Sequence, residues 1–107
     1  MKKERTLLID DTRDLASADV IARNFDEGIR QLSLNGPWDV LLLDHDLASY
    51  DEAGREHTGY DVMLWLEEQV VNNKPGALPG RIECVSANPV GRERIKAVIR
   101  KLYDRKA

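Results

Sequence analysis

Four short apolar runs alternate with longer amphipathic stretches along the chain. Two of them, Thr6–Ile9 and Val40–Leu43, are almost entirely apolar, which is typical of strands that are covered on both faces. Residues 18–23 and 81–85 form the other two candidate strands. Residues 18–23 are also compatible with the start of a helix, and we prefer a strand that ends at Asn24. The run at Val40–Leu43 is the expected centre of the sheet.

Between these runs, apolar residues recur at helical spacing and predict three helices. The first is expected to begin at Asn24, which has Glu27 three residues on. The second begins at Thr58 and Asp61, which resemble a capping box, and the third begins at Pro89, which suits a first helical turn. The predicted inner residues are Ile29 and Leu32 in the first helix, Val62, Met63, Leu66 and Val70 in the second, and Ile95, Val98, Ile99 and Leu102 in the third.

The alternation of strands and helices indicates the fold class. Because a strand, helix and strand in succession make a right-handed crossover, the pattern predicts a mostly parallel sheet of about four strands with helices on its faces. The 107 residues, of which 42% are hydrophobic and 33% charged, suffice for one compact domain and leave no room for a second. We therefore predict a single small three-layer α/β domain over residues 1–107, with a sheet edge that is exposed or covered by a partner.

The composition also bounds the cellular setting. Cys84 is the only cysteine, so no intramolecular disulfide can form, and this residue is expected to fill a small space in the core. The apolar stretch near the start is only a few residues long, far short of a signal peptide or a membrane span. These features predict a cytoplasmic protein without a membrane partner.

The charge balance limits the partners further. A formal net charge of -3 leaves no basic excess for extended duplex nucleic acid, although the segment 92–106, which includes Arg105 and Lys106, is locally basic. That segment is expected to be a solvated helix face with cations near its C-terminus. A small phosphate-bearing ligand, a nucleotide end or a protein partner is compatible with this balance.

The strongest candidates for chemistry are aspartates that follow two of the strands. Asp10 and Asp11 come directly after the first strand, and Asp44 and Asp46 follow the third. Since ligands of parallel sheets bind at the carboxyl ends of strands, these carboxylates converge if the two strands are neighbours. Converging carboxylates repel unless one is protonated or a cation lies among them, and hard oxygen ligands suit Mg²⁺ or Mn²⁺. The simpler interpretation is that each aspartate caps a turn.

The residues after the third strand carry two further expectations. Asp44 and Asp46 are expected to point to the same side because successive strand residues alternate, so that His45 faces away as a hydrogen-bonded structural residue. The polar residues 48–57 that follow predict a flexible loop over the acidic residues, since loops at strand ends commonly carry ligands.

A second candidate feature lies where the fourth strand meets the last helix. Ser86 closes the strand, and the start of the helix offers unpaired backbone N–H groups and a positive dipole end, which favour anions. Asn88 is the expected cap of this helix, and Arg92 lies one turn in, within reach of a phosphate. The alternative is that Arg92 is only surface charge.

These residues resemble a known family. Asp10 and Asp11, Asp44, and Ser86 look like the acidic pair, the phosphate-accepting aspartate and the hydroxyl residue of bacterial response-regulator receiver domains, which implies a receiver-like, flavodoxin-like fold truncated to four strands. A closer similarity is to the cyclic-phosphate processing receiver domains, whose pattern is similar to Leu-Asp-His-Asp-Leu at 43–47, Thr-Gly-Tyr-Asp-Val at 58–62 and Ser-Ala-Asn-Pro-Val-Gly at 86–91. That family is proposed to act on cyclic phosphates or related nucleotide ends.

Together the residues and the resemblance predict a divalent-metal-dependent phosphate-processing domain. In this hypothesis Asp44 or a metal-bound water attacks phosphorus, and Asp46 is the general acid or base. The predicted roles are metal ligation by Asp10, Asp11 and Asp44, phosphate binding by Ser86, Asn88 and Arg92, and catalysis by Asp44 and Asp46.

Two departures from the family pattern favour a non-catalytic alternative. Receivers usually supply a lysine from a fifth strand, whereas only one helix follows Asn88 in this sequence. In the cyclic-phosphate group the residue before the Ser-Ala-Asn run is commonly histidine, and here it is Val85. The alternative is a receiver-like module that binds a metal, a phosphate or a nucleotide and presents a surface to a partner. A second alternative, a haloacid-dehalogenase-like phosphatase, depends on the pair Asp44 and Asp46 after an apolar strand.

Overall fold

A computed structural model describes residues 4–104, and a parallel sheet lies at its centre. The strands are β1 (Thr6–Ile9), β2 (Val20–Ala22), β3 (Val40–Leu43), β4 (Ser49–Tyr50), β5 (Glu56–His57) and β6 (Arg81–Cys84). Four of them form the parallel sheet in the order β2-β1-β3-β6. The four predicted strands are confirmed, and β3 is an inner strand whose four residues are all buried. Arg105 and Lys106, which belong to the predicted basic segment, lie outside the described residues together with residues 1–3 and Ala107.

Three helices follow the strands and begin where their capping residues predict. They are α1 (Phe25–Leu34), α2 (Gly59–Val71) and α3 (Pro89–Asp104), and a short 3₁₀ turn spans Pro75–Ala77. The Asn24 side chain accepts from the backbone N–H of Glu27 at 2.8 Å. Thr58 and Asp61 form the predicted capping box at the start of α2. These local hydrogen bonds satisfy backbone N–H groups that have no partner inside the helix.

The sheet separates two apolar clusters of unequal size. The larger cluster contains the inner residues of all three helices, so the helices lie on one face of the sheet. The smaller cluster contains Leu8, Val40 and Leu42, and residues Leu15 and Ala18 of the loop between β1 and β2 pack against it. The α/β class and the receiver-like parallel sheet are confirmed. The third layer is not found among the described residues, since the second face is covered by the loop between β1 and β2, whose residues 10–19 contain only one large apolar residue, Leu15.

The segment 48–57 is a hairpin, so the prediction of a plain flexible loop is wrong. Strands β4 and β5 pair in antiparallel fashion, with Ser49 opposite His57. The hairpin packs against the start of α1, where the rings of His57 and Phe25 stack with centroids 4.6 Å apart and the Ser49 hydroxyl accepts from the Phe25 N–H at 3.0 Å. Two-residue strands are too short to produce an alternating pattern, and the contact that supports them comes from a distant part of the chain.

Two expectations from composition can be compared with the described residues. Cys84 is a free thiol that is half-buried and packs against the larger apolar cluster, as expected for a small residue beside the core. Within residues 4–104 there is no helix with the length and apolar character needed to cross a membrane.

Candidate functional site

The parallel register brings the ends of β1 and β3 side by side. Ile9 lies opposite Leu43 in the ladder. Beyond these residues the backbone N–H of Asp44 donates to the Ile9 carbonyl at 3.0 Å, and the N–H of Asp10 donates to the Ala22 carbonyl at 3.1 Å. Each hydrogen bond extends the ladder by one residue. The backbones of both aspartates are therefore fixed by the same kind of hydrogen bond as the strands.

The carboxylates of Asp10, Asp11 and Asp44 converge at this edge. One oxygen from each lies within 4.8 Å of the others. Asp10 is buried, with 1% of its surface exposed, whereas the other two are half-buried. These are three of the four carboxylates that the sequence predicts to converge, and they are the predicted metal ligands. Hereafter they are called the acidic group.

Asp10 is the most buried carboxylate of the acidic group. Its Oδ1 accepts from the backbone N–H groups of Thr12 and Arg13, at 3.0 and 2.9 Å. Its Oδ2 is the buried side-chain polar atom of residues 4–104 that has no hydrogen-bond partner. A buried carboxylate oxygen without a hydrogen bond is costly, and the Arg13 guanidinium, 3.5 Å from Oδ2, is a charge that offsets part of this cost.

Arg13 is the site residue that sequence reasoning missed. Its guanidinium lies 3.5 Å from Asp10 Oδ2 and donates to the carbonyl of Val85, at the end of β6. Arg23 holds the same loop, because its guanidinium donates to the Arg13 carbonyl at 3.0 Å and also pairs with Asp14. The spacing of three residues between Asp10 and Arg13 is the available sequence signal, and it is too common in turns to be decisive.

The environment of Asp44 raises its pKa above the ordinary value. The main cause is burial, and the nearby charge of Asp10 adds to it. Hydrogen bonds from the His45 backbone N–H, at 2.9 Å, and from the Ser86 hydroxyl act in the opposite direction, as does the charge of Arg13. Burial and the like charge of Asp10 together therefore outweigh the effects of Arg13 and of the donors around Asp44 on its pKa.

Ser86 and the start of α3 lie next to the acidic group, as predicted. Ser86 is 2% exposed, and its hydroxyl accepts from the N–H of Asn88 at 3.1 Å while it bonds to Asp44. Asn88 is the expected cap, since its Oδ1 accepts from the N–H of Gly91 at 3.1 Å. Arg92 is exposed and lines a groove along β6. Arg94 stacks over the ring of Tyr60 at 4.2 Å.

Asp46 does not join the acidic group that the described residues form. Its Oδ1 lies 2.9 Å from His45 Nδ1, and its oxygens lie 3.5 Å from Asn88 Nδ2. The expectation that Asp44 and Asp46 point to the same side is therefore not met. Strand β3 ends at Leu43, so strand alternation does not extend to these residues.

Two glycines allow helices to approach the site closely. A Cβ at Gly59, the first residue of α2, would overlap the carbonyl oxygen of Asp44, and a Cβ at Gly91 in α3 would overlap the ring of His45. The His45 ring thus packs on the first turn of α3 and holds a structural position, as the sequence predicts. Both helices are positioned directly against the segment that carries Asp44.

A sizeable cavity of the described residues lies elsewhere. It has a volume of about 500 Å³ and is lined by Leu32, Trp65 and Lys74 among others, none of which belongs to the acidic group. The acidic group lies at an open sheet edge. Its chemistry, and not the size of a cavity, therefore makes it the candidate site.

Comparison with known families agrees with this geometry. Residues 5–101 match the model of a family described as the Cyclic-phosphate processing Receiver domain. The chain belongs to this family. Comparisons with curated proteins and with solved structures find no significant match. Membership confirms the resemblance drawn from the three sequence motifs, and with the observed parallel sheet it confirms a small receiver-like fold.

Family membership also bears on the alternatives. The matched family is a receiver family, and this finding favours a receiver-like domain over the haloacid-dehalogenase-like alternative. The family is linked to cyclic-phosphate processing. Metal ligation by the acidic group and phosphate binding by Ser86, Asn88 and Arg92 stay predictions.

Proposed function

We propose that this domain processes a cyclic phosphate or a nucleotide end in a reaction that depends on Mg²⁺ or Mn²⁺. The observation that carries the proposal is the convergence of three carboxylates within 4.8 Å, one of which has a buried oxygen without a hydrogen-bond partner. Three like charges at this distance favour a bound divalent cation, because the cation offsets their repulsion.

The residues of the acidic group fit such a cation chemically. Asp10, Asp11 and Asp44 offer only hard oxygen donors, which Mg²⁺ and Mn²⁺ prefer. When bound, the cation would stabilise the negative charge that develops on phosphoryl oxygens. Three carboxylates leave room in an octahedral shell for oxygens of a substrate phosphate.

Three groups around the acidic group suit a phosphate. The Ser86 hydroxyl lies beside Asp44, and the dipole of α3 adds positive potential there. Arg13 supplies a cation on the other side. Receivers usually have a lysine for this purpose, and we propose that Arg13 takes its place, since it lies near Asp10 and 37% of its side chain is exposed. Arg92 remains the predicted further cation.

The chain's own residues can account for ring opening of a cyclic phosphate. The Asp44 carboxylate attacks phosphorus, and the bond from phosphorus to one ester oxygen breaks. Asp46, whose carboxylate lies beside Asn88 at the start of α3, gives a proton to the departing oxygen. Water then hydrolyses the acyl phosphate, which releases a phosphate monoester and restores the Asp44 carboxylate.

The first experiment is ³¹P NMR of the purified protein with Mg²⁺ and a panel of cyclic-phosphate nucleotides. We expect conversion by the unmodified protein and none by Asp44→Asn. Asp39→Asn is the matched control, because Asp39 lies at the opposite end of β3 and accepts a hydrogen bond from the Arg5 N–H. Equal turnover by Asp44→Asn in a folded variant would contradict the proposal.

A non-catalytic binding module is the second candidate, and Val85 is the observation that favours it. Where the family commonly has a histidine, this chain has an apolar residue whose carbonyl accepts from Arg13. This candidate predicts that Mg²⁺, alone or with a nucleotide, raises the melting temperature while ³¹P NMR detects no conversion. Conversion of any substrate by the unmodified protein alone would rule it out.

A further inference from the structure

The outer edge of β6 has the features of a docking site for an extended peptide. Strand β6 is the last in the order β2-β1-β3-β6, so no described strand pairs with its outer side. The N–H groups of Arg81 and Val85 donate to β3 and its flanks, at Asp39 and Leu43. Because alternate residues of a strand direct their N–H and C=O groups to opposite sides, those of Ile82 and Cys84 face the open edge.

A groove of about 310 Å³ runs between this edge and helix α3. Ile82 and Cys84 line one side, and Arg92, Lys96 and Arg100 line the other. These three cations follow one another at intervals of four residues, and both arginines are exposed. The acidic residue of the groove is Glu83, whose carboxylate is already paired with Arg81 at 3.0 Å. The groove is therefore strongly positive.

We propose that an acidic, extended segment of a partner protein binds in this groove as an added strand beside β6. The backbone of the segment would pair with Ile82 and Cys84, as in other cases of strand addition. Its acidic side chains would face the cations of α3. This inference does not depend on the proposed phosphate chemistry and concerns a different edge of the sheet, although Arg92 belongs to both proposals.

The spacing of the charges supports this partner. Cations four residues apart on a helix are separated by about 6 Å along its axis. Side chains at alternate positions of an extended chain are separated by roughly 6.7 Å and point to the same side. A segment with an acidic residue at every second position therefore matches the row formed by Arg92, Lys96 and Arg100.

Two other occupants fit less well. A second copy of this chain that paired through the same edge would place two sets of these cations against each other, because a two-fold interface uses the same patch twice. A nucleic-acid strand could meet the cations, but it has no peptide groups to pair with Ile82 and Cys84. Self-association of this chain and binding of a nucleic-acid strand are therefore included as outcomes of the test.

The probe is a fluorescent ten-residue peptide that alternates threonine and glutamate, compared with one that alternates threonine and lysine. We expect only the acidic peptide to bind. The double variant Lys96→Glu with Arg100→Glu should weaken its binding about tenfold or more. The control Arg30→Glu with Lys74→Glu reverses two exposed cations that lie outside the groove, and it should bind like the unmodified protein. Neither pair includes a residue of the acidic group.

Amide hydrogen exchange separates strand pairing from simple charge attraction. On binding of the acidic peptide, the amides of Ile82 and Cys84 should exchange more slowly. Binding without this protection, equal weakening by both double variants, or no binding at all would overturn the proposal. So would binding of a ten-nucleotide thymidine strand in place of the peptide, or self-association of the free protein that protects the same two amides.

Discussion

The two ends of the parallel sheet carry the same residue type in opposite circumstances. At the amino edge, Asp19 accepts from the N–H of Thr6 at 2.8 Å and Asp39 accepts from the N–H of Arg5 at 2.7 Å. At the carboxyl edge, Asp10 keeps a buried oxygen without a hydrogen-bond partner, and the pKa of Asp44 is raised by burial and by the charge of Asp10. Carboxylates at both edges accept from backbone N–H groups, but those at the carboxyl edge also converge within 4.8 Å of one another.

The comparison teaches how to separate structural from functional carboxylates at strand ends. Aspartates beside strands commonly accept backbone hydrogen bonds in turns, and the amino edge fits that explanation. Backbone donors are also present at the carboxyl edge, but there three carboxylates converge within 4.8 Å of one another, which turn capping does not explain. A repulsive arrangement that persists in the fold is expected at a site that binds a cation.

The largest expected effect comes from the glycines that face the two edges. Gly59→Ala places a Cβ against the Asp44 carbonyl, and Gly80→Ala places one 2.8 Å from the Asp39 carbonyl. We expect each to lower the free energy of unfolding by about 1 to 3 kcal/mol through overpacking. Only Gly59→Ala should also abolish stabilisation by Mg²⁺.

Gly76→Ala is the control for this pair, since nothing lies within 4 Å of a Cβ at that position. Denaturant unfolding, followed by melting with and without Mg²⁺, measures both effects. If Gly59→Ala kept the full response to Mg²⁺, the close approach of α2 would not be what positions Asp44.

The second prediction compares the arginine at each edge. Arg13 lies beside Asp10 at the carboxyl edge, whereas Arg5 stacks over Trp38 at 4.1 Å and donates to two carbonyls at the amino edge. Arg13→Ala should weaken binding of inorganic phosphate in the presence of Mg²⁺ roughly tenfold or more. Arg5→Ala should lower stability and leave phosphate binding unchanged.

Titration calorimetry with inorganic phosphate measures this difference. Arg13→Lys, which keeps the charge, should recover part of the affinity. If Arg13→Ala and Arg13→Lys both bound phosphate like the unmodified protein, Arg13 would have only the structural role of joining its loop to Val85.

The third prediction is the direction in which replacing Asp44 changes the melting temperature when no metal is present. Because the pKa of Asp44 is raised in the folded state, its charged form costs stability at neutral pH, and this cost disappears as the pH falls through the folded-state pKa toward 3.8. Asp44→Asn should therefore raise the melting temperature by a few degrees at pH 7 in a chelator. Asp39→Asn should lower it, because a charged acceptor is lost.

Melting curves between pH 3 and pH 7 test the sign. The advantage of Asp44→Asn should shrink as the pH falls, and Mg²⁺ should reverse it at neutral pH by stabilising only the protein that retains Asp44. A lower melting temperature for Asp44→Asn in chelator would mean that Asp44 is a structural carboxylate like those at the amino edge.

The smallest expected effect is a loss of stability at alkaline pH that depends on Tyr103, near the amino edge. Burial raises the pKa of Tyr103 from 10.0 to about 12, and its hydroxyl donates to the Pro79 carbonyl at 2.6 Å. Between these values the unfolded chain loses the proton first, so stability should fall as the pH rises from 10 to 12. Tyr103→Phe should reduce this slope. If alkaline melting curves of Tyr103→Phe showed the same fall of stability with pH, other groups would be its cause.

Much of the candidate site was predictable because its residues follow strands. Asp10, Asp11 and Asp44 needed only the inference that two apolar runs are neighbouring parallel strands. Ser86 and Asn88 needed only a strand followed by a helix cap. Arg13 was missed because a ten-residue loop has no periodic pattern, and the position of its guanidinium depends on the carbonyl at the end of β6.

The sequence by itself determined the four parallel strands, the three helices and their caps, since these depend on periodicity and on hydrogen bonds between near neighbours. The tertiary structure alone decided that Asp46 contacts His45 and Asn88 and stays outside the acidic group, that residues 48–57 pair as a hairpin against Phe25, and that a loop covers the second face of the sheet. Each of these features depends on contacts between segments far apart in the chain. Such contacts leave no local pattern, because the groups that make them are far apart in the sequence.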